Sequence, residues 1–162
     1  MIVIVIIGVV YTLAVTKLQS VGEEVSTPTL GTLKEYLISL NKEHTGVRLL
    51  CLDDCSECNV YKDDVKVQSI ENLLDSSVER YRYDFLEGSV LLRDEIYFNA
   101  EGRDENICFS FSIDKNNISD QIIVVYKDKA YDYTSYFSKA EVYDSIEELI
   151  EIKEKQTQEV MQ

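Results

Sequence analysis

Tryptophan is absent from this 162-residue chain, proline and histidine occur once each, and glycine occurs six times. One proline leaves no room for a proline-rich linker, and there is no internal repeat or low-complexity tract. The length therefore suits one domain, or one domain with an anchor. So few glycines leave no phosphate-binding glycine loop. The lone histidine, His44, has no serine or cysteine arrangement directed at it, and reads as a helix C-terminal residue rather than a catalytic base. Basic side chains are scarce as well: 16 against 30 acidic ones, for a formal charge of -14 and a pI of ≈ 4.4. A surface so acidic repels phosphate backbones, which excludes nucleic acid as a partner of the soluble part. Tyrosine is abundant instead, with eleven copies. Tyrosine fits a half-buried pleated surface, so the composition points to a strand-rich domain.

Charge is missing altogether from Met1 to Thr16, and Ile2, Val3, Ile4, Val5, Ile6, Ile7, Gly8, Val9 and Val10 run apolar without a break. As a helix this stretch measures roughly 24 Å, short of a hydrocarbon core of roughly 30 Å. A signal peptide would need a basic flank and a small-residue cleavage site, and neither is present. Beyond residue 13, Ala14, Leu18, Val21 and Val25 recur at helical spacing, while Lys17, Gln19, Ser20, Glu23 and Glu24 take the other face. The pattern predicts one continuous helix, apolar all round in its first half and amphipathic in its second. Ser26-Thr27-Pro28 ends it.

The run from Met1 to Val10 resembles the middle of the N-terminal helix of type IV pilins and type II secretion pseudopilins. Mature chains of that family open with Phe-Thr-Leu-Ile-Glu-Leu ahead of a similar isoleucine and valine run. The resemblance covers the first 25 residues. It lacks the basic leader, the glycine cleavage site, the N-terminal phenylalanine and the early glutamate. The expectation is that in-frame coding sequence upstream supplies them, since about six more residues would add roughly 9 Å and complete a span. A plain signal anchor is the other account of the segment.

The remainder reads as alternating short elements. Thr32 and Glu35 form a capping-box pattern that opens a short helix, with Leu33, Tyr36, Leu37 and Leu40 as its buried stripe. Strands are predicted over 47–52, 59–62, 65–68, 80–86, 90–99, 107–113, 121–127 and 130–137, with a short helix over 69–74. Asp63-Asp64, Glu87-Gly88, Glu101-Gly102, Asn116-Asn117 and Lys127-Asp128-Lys129 supply turns. A last helix begins at Ser145, with Glu148 as its capping-box partner, and buries Ile146, Leu149, Ile150 and Ile152. The expected architecture is α+β: a helix over 1–25 laid against an antiparallel meander, with a globular head over 26–162. The pilin resemblance implies the same arrangement.

Cys51, Cys55, Cys58 and Cys108 are the densest chemical feature, three of them within eight residues. Four cysteines permit three disulfide connectivities. Alternation in 107–113 sets Cys108 opposite Ile107, Phe109, Phe111 and Ile113, and Cys51 alternates with Leu50 and Leu52. On that ground Cys51–Cys108 with Cys55–Cys58 is the preferred pairing. A zinc site from the same cysteines, with His44 in place of Cys108 as an option, is the second reading. A redox Cys55-x-x-Cys58 is the third, opposed by the carboxylates of Asp53, Asp54 and Glu57, which raise a thiol's pKa. Asp114, Asn116, Asn117 and Asp120 offer oxygens of the kind that bind calcium, but their spacing matches no defined loop and they read as a turn. Asn117-Ile118-Ser119 is a formal glycosylation triplet. Tyr126, Tyr131, Tyr133, Tyr136 and Tyr143 cluster late in the chain. They read as strand residues, or as a partner surface if exposed.

The functional expectation is a non-enzymatic filament subunit without cofactor, held in the inner membrane with its head in the periplasm. Residues Ile2 to Val10 would pack with other pilin or pseudopilin subunits, and Ala14, Leu18, Val21 and Val25 would attach the helix to the head. Assembly machinery would supply the driving force. The alternative is a signal-anchored periplasmic thiol- or metal-binding protein.

Overall fold

A computed structural model describes residues 27–93, 95–98 and 104–160. A 3-10 turn at Leu30–Thr32 leads into helix α1, Leu33–Leu40. Ten strands follow: β1 Val47–Leu52, β2 Glu57–Lys62, β3 Val65–Glu71, β4 Glu79–Asp84, β5 Gly88–Leu91, β6 Glu95–Phe98, β7 Asp104–Ile113, β8 Ile123–Tyr126, β9 Lys129–Asp132 and β10 Glu141–Tyr143. Helix α2, Ile146–Val160, comes last. The strands form two five-stranded sheets, in the orders β3-β2-β1-β7-β6 and β10-β9-β8-β4-β5.

This corrects the expected α+β, pilin-like architecture. The described residues hold no long N-terminal helix packed on a sheet; they hold two antiparallel sheets and helices of only 8 and 15 residues. The apolar positions Ile2, Val3, Ile4, Val5, Ile6, Ile7, Gly8, Val9 and Val10, and the attachment positions Ala14, Leu18, Val21 and Val25, lie outside the described residues. The physical reason for the correction is that the sheets find their covers within 27–160. Leu33 and Leu37 of α1 join Leu49, Val60, Phe109 and Phe111 of the first sheet in one buried cluster, which also takes in Val124 and Tyr126 of the second. Leu149 of α2 closes a smaller cluster with Ile123 and Ala130.

The simple meander is corrected too. β1 pairs with β7 and β4 with β8, so each sheet contains a pairing between strands distant in sequence. The hairpins themselves follow local rules. Asp63-Asp64 and Lys127-Asp128 both have positive φ at each position, the geometry of a two-residue loop whose twist matches its strands. The predicted helix over 69–74 is not formed, because Ile70 lies opposite Cys58 and continues β3 as a buried strand residue. The predicted strand over 90–99 divides, β5 joining the second sheet and β6 the first. An edge bulge between Val60 and Tyr61 shifts the β2–β3 register, which blunts β3 as a template for further pairing.

The first cap also moves. Thr29 N–H donates to Thr32 Oγ1 at 3.0 Å, so the turn before α1 is capped three residues earlier than Thr32 with Glu35 predicts. At α2 the Glu148 N–H donates to Ser145 Oγ at 3.2 Å as expected, whereas the Glu148 carboxylate accepts from the N–H of Asp144.

Helix α2 is tied down by one partly buried ion pair. Lys153 Nζ lies 2.7 Å from Asp132 Oδ2 and donates to Thr134 Oγ1 at 2.7 Å, and the Thr134 hydroxyl and N–H both donate to Asp132. Removing one member of such a group leaves a charge without its partner. Lys153→Met alone should lower the unfolding free energy by about 3 kcal/mol, and the double variant Asp132→Asn, Lys153→Met should recover part of the loss. Urea titration followed by circular dichroism measures both.

Candidate functional site

Every cysteine is bonded. Cys51 pairs with Cys58, and Cys55 pairs with Cys108. The pairing preferred from sequence is therefore corrected, and register explains why. Cys51 lies opposite Phe109 in the β1–β7 ladder, on the face shared by Leu49 and Phe111, whereas Cys108 points to the other face. The alternation expected around Cys108 holds; that expected around Cys51 fails, because Leu49, Leu50 and Cys51 are all buried and the alternation in β1 is lost. Cys58 is the direct partner of Cys51 across the β1–β2 hairpin. Cys55 sits in the turn at positive φ, past a register shift at Leu52, and from there reaches Cys108.

With all four sulfurs in disulfides, neither a zinc tetrad nor a dithiol centre is left in the folded, oxidised protein. Among the described residues no group of three or more His, Cys, Asp or Glu side chains is placed to hold a metal ion. His44 ends the turn after α1 at positive φ, with Nδ1 3.2 Å from the Lys115 carbonyl.

The oxygens around residue 114 are occupied by the chain's own donors. Asp114 Oδ1 accepts the N–H groups of Asn116 and Ile118, both at 2.8 Å. The hydrogen bond from Ile118, together with those from Asn116, holds the Asp114 carboxyl below its ordinary value of 3.8 against a smaller opposing effect of desolvation. Buried Asn41, at the end of α1, donates to the Asp114 carbonyl and to Asn117 Oδ1, and accepts from the N–H of Gly46. These residues form a braced turn. Ser119 of the glycosylation triplet is itself buried.

The tyrosines separate by role. Tyr133 is fully buried, packs against Phe111 with ring centroids 4.6 Å apart and the rings tilted at 52°, and its hydroxyl donates to the Leu30 carbonyl. Burial pushes that hydroxyl's pKa far up. Tyr126 donates to Asp75 at 2.9 Å. Tyr131 packs partly buried on the main cluster, and Tyr143 on the cluster under α2. Tyr136 is left exposed, beside Phe137.

Lys34 is the residue that sequence reading missed. It is 3% exposed, and its Nζ donates to the carbonyls of Ser135, Tyr136 and Ser138 at 2.7, 3.2 and 2.9 Å. Desolvation lowers its pKa, opposed by the nearby charges of Glu35 and Asp132. The available signal was spacing: Leu30, Leu37 and Asn41 flank position 34 at helical intervals and all are buried. No family model, curated protein or solved structure matches the chain.

Two measurements check this account. Cys55–Cys108 joins positions 53 apart and Cys51–Cys58 positions 7 apart. Chain-entropy reasoning gives about 4 kcal/mol for the longer loop and about 2.5 for the shorter. The double serine variant at 55 and 108 should therefore unfold at lower denaturant than the double variant at 51 and 58.

Asp114 should account for part of the acid sensitivity. A carboxyl whose folded pKa is depressed stabilises fully above its unfolded value, and loses that contribution as pH falls through the lower folded value. Thermal unfolding of Asp114→Asn should show a shallower decline below pH 3.8 than the parent chain.

Proposed function

We propose that the chain is a structural subunit of an extracytoplasmic filament, of the type IV pilin or type II secretion pseudopilin kind. In this reading it is anchored in the inner membrane through residues 1–25 before assembly and presents residues 26–162 as its head. The observation that carries the reading is the complete pairing of the cysteines into two crossing disulfides, which suits an oxidising compartment. The uncharged run from Met1 to Thr16 supports the anchor. Among the described residues no helix is long and apolar enough to cross a membrane, so anchoring rests on the sequence of the first 25 residues alone.

The joint between the two parts supports a mechanical role. Pro28 and Leu30 are buried, and the Tyr133 hydroxyl holds the Leu30 carbonyl. A pull that reaches Pro28 would thus pass into the core at Leu30. The head is mainly β, so its part in a filament would be as surface, with the N-terminal segments packing against one another. The thiol- or metal-binding alternative loses its chemistry once the sulfurs are bonded.

The test is made in the native cell. A chain carrying cysteines at both Ile6 and Val9, with the four native cysteines intact, should give a ladder of cross-linked multimers on mild oxidation, whereas either cysteine alone should stop at a dimer. A chain carrying cysteines at both Glu151 and Glu154 should give no ladder. Alkylation without reduction should find no native thiol, and residues 26–162 alone should leave the membrane fraction as a folded monomer. Absence of the ladder removes the filament reading. Four alkylated native thiols would remove the oxidising compartment with it.

A further inference from the structure

A sheet edge is a row of backbone groups without partners, and folded chains protect such rows with charge, proline, bulges or cover. The two sheets end in β3 and β6, and in β10 and β5. β3 carries Lys66 and the register shift at Tyr61, β6 opens with Glu95, and β10 opens with Glu141. β5, Gly88–Leu91, has no charged residue, no proline and no register shift against β4. Its surroundings are apolar as well. Leu91 is 53% exposed, and the turn leading into the strand leaves Phe85 66% and Leu86 81% exposed.

The Leu92 N–H donates to the Arg80 carbonyl at 2.8 Å, which fixes the direction of the backbone groups along the strand. Leu92 and Val90 turn their N–H and C=O groups to β4, so Ser89 and Leu91 turn theirs to the open edge. The side chains alternate too. Ser89 and Leu91 lie on the side of Tyr83 and Tyr81, which pack on the cluster under α2, and Val90 lies on the other side.

We infer that the open edge of β5 pairs with the same edge of a second copy of this chain, antiparallel and symmetric about Val90. The edge itself selects this occupant. Outward N–H and C=O groups call for a strand, and two identical edges meet about a two-fold axis normal to the sheet, so one residue must lie opposite its own copy. With Val90 in that place, Ser89 faces Leu91 of the second copy on both sides of the axis, and each such pair exchanges both of its hydrogen bonds. The same register sets Glu87 opposite Arg93 of the second copy, again on both sides, and both residues are exposed. Centring on Ser89 would instead place Leu91 opposite Glu87, and centring on Leu91 would place Ser89 opposite Arg93. Either shift leaves a charge facing an uncharged residue. The two Leu91 side chains become diagonal neighbours across the axis, within reach of each other on the α2 side. The charge of -14 on each copy acts weakly here, because salt screens distant charges within about 8 Å and the facing residues decide. So short an edge makes a weak joint, with an affinity on the order of 1 mM, and the isolated head stays a monomer at micromolar concentration. The pairing does not depend on what residues 1–25 do.

The test uses the full chain at about 1 mM in detergent micelles, with the native disulfides intact. Val90→Cys, Ser89→Cys, Leu91→Cys and Leu86→Cys are each oxidised mildly; covalent dimer is followed by non-reducing electrophoresis, and the joined peptides are identified by mass spectrometry. Val90→Cys should dimerise at least about tenfold faster than the other three, although Leu86 is the most exposed of the four positions. Only residue 90 meets its own copy, with Cα atoms about 4.5 Å apart, whereas the two copies of residue 86 lie about 27 Å apart along the strands. Ser89→Cys combined with Leu91→Cys should dimerise where each alone does not, which keeps the test open if Val90→Cys disturbs the fold. In the Val90→Cys chain, Glu87→Arg should slow dimer formation about tenfold, and adding Arg93→Glu should restore it. Circular dichroism confirms that each chain compared is folded. Equal rates at the four positions, fastest joining at Leu86, a charge swap that does not restore the rate, or no dimer from folded chains carrying cysteine at 90 or at both 89 and 91 would each overturn the inference.

Discussion

The pairing of β1 with β7 is the constraint on which the other features rest. Residues Val47 to Leu52 run antiparallel to Ile107 to Ile113, and that register determines which side of the sheet each residue faces. It sends Val47, Leu49, Cys51, Phe109 and Phe111 to one side, where α1 covers them. It also keeps Cys51 away from Cys108, so that Cys51 can only take its hairpin partner and Cys108 is left for the turn residue Cys55. A one-residue slip would reverse every side chain in β1 and break both bridges. The disulfides thus record the register, and once formed they prevent it from being lost.

The two sheets are joined by a small number of side chains that cross between them. Arg80 on β4 donates to Ser110 Oγ on β7 at 2.9 Å. Tyr133, just past β9, packs against Phe111 and holds the start of the 3-10 turn. Lys34 reaches from α1 to the loop after β9, and Lys153 reaches from α2 to Asp132 at the end of β9. The segment 129–138 is therefore gripped from several sides. That explains how a short loop, rich in exposed aromatic surface, keeps a defined shape.

In the proposed filament reading, the head would act through its surface. Carboxylates are dispersed over the exterior, and several carry a depressed pKa because they accept nearby donors: Asp84 from the N–H groups of Leu86 and Glu87, Asp144 from Lys129. Such a surface stays charged and soluble when many copies are brought side by side, and it favours basic partners. At the start of the described residues, Pro28 and Leu30 are buried against that head.

Local rules alone determined a good part of this protein. The two-residue turns at Asp63-Asp64 and Lys127-Asp128, the strand at 47–52, the face of Phe109 and Phe111, and the start of α2 at Ser145 each depend on neighbours within a few residues, and each was legible. So was the cysteine cluster as a source of disulfides. Tertiary structure decided the rest. Which sulfurs bond follows from the β1–β7 register, in which Leu49, Leu50 and Cys51 are all buried and leave no alternation to read. The extension of β3 through Ile70 follows from pairing with Cys58, which outweighs the local helical pattern. Helical spacing could set Lys34 on the buried face of α1 but could not show what it binds there, because its three acceptors lie about a hundred residues away and a charged residue is buried only where such partners converge.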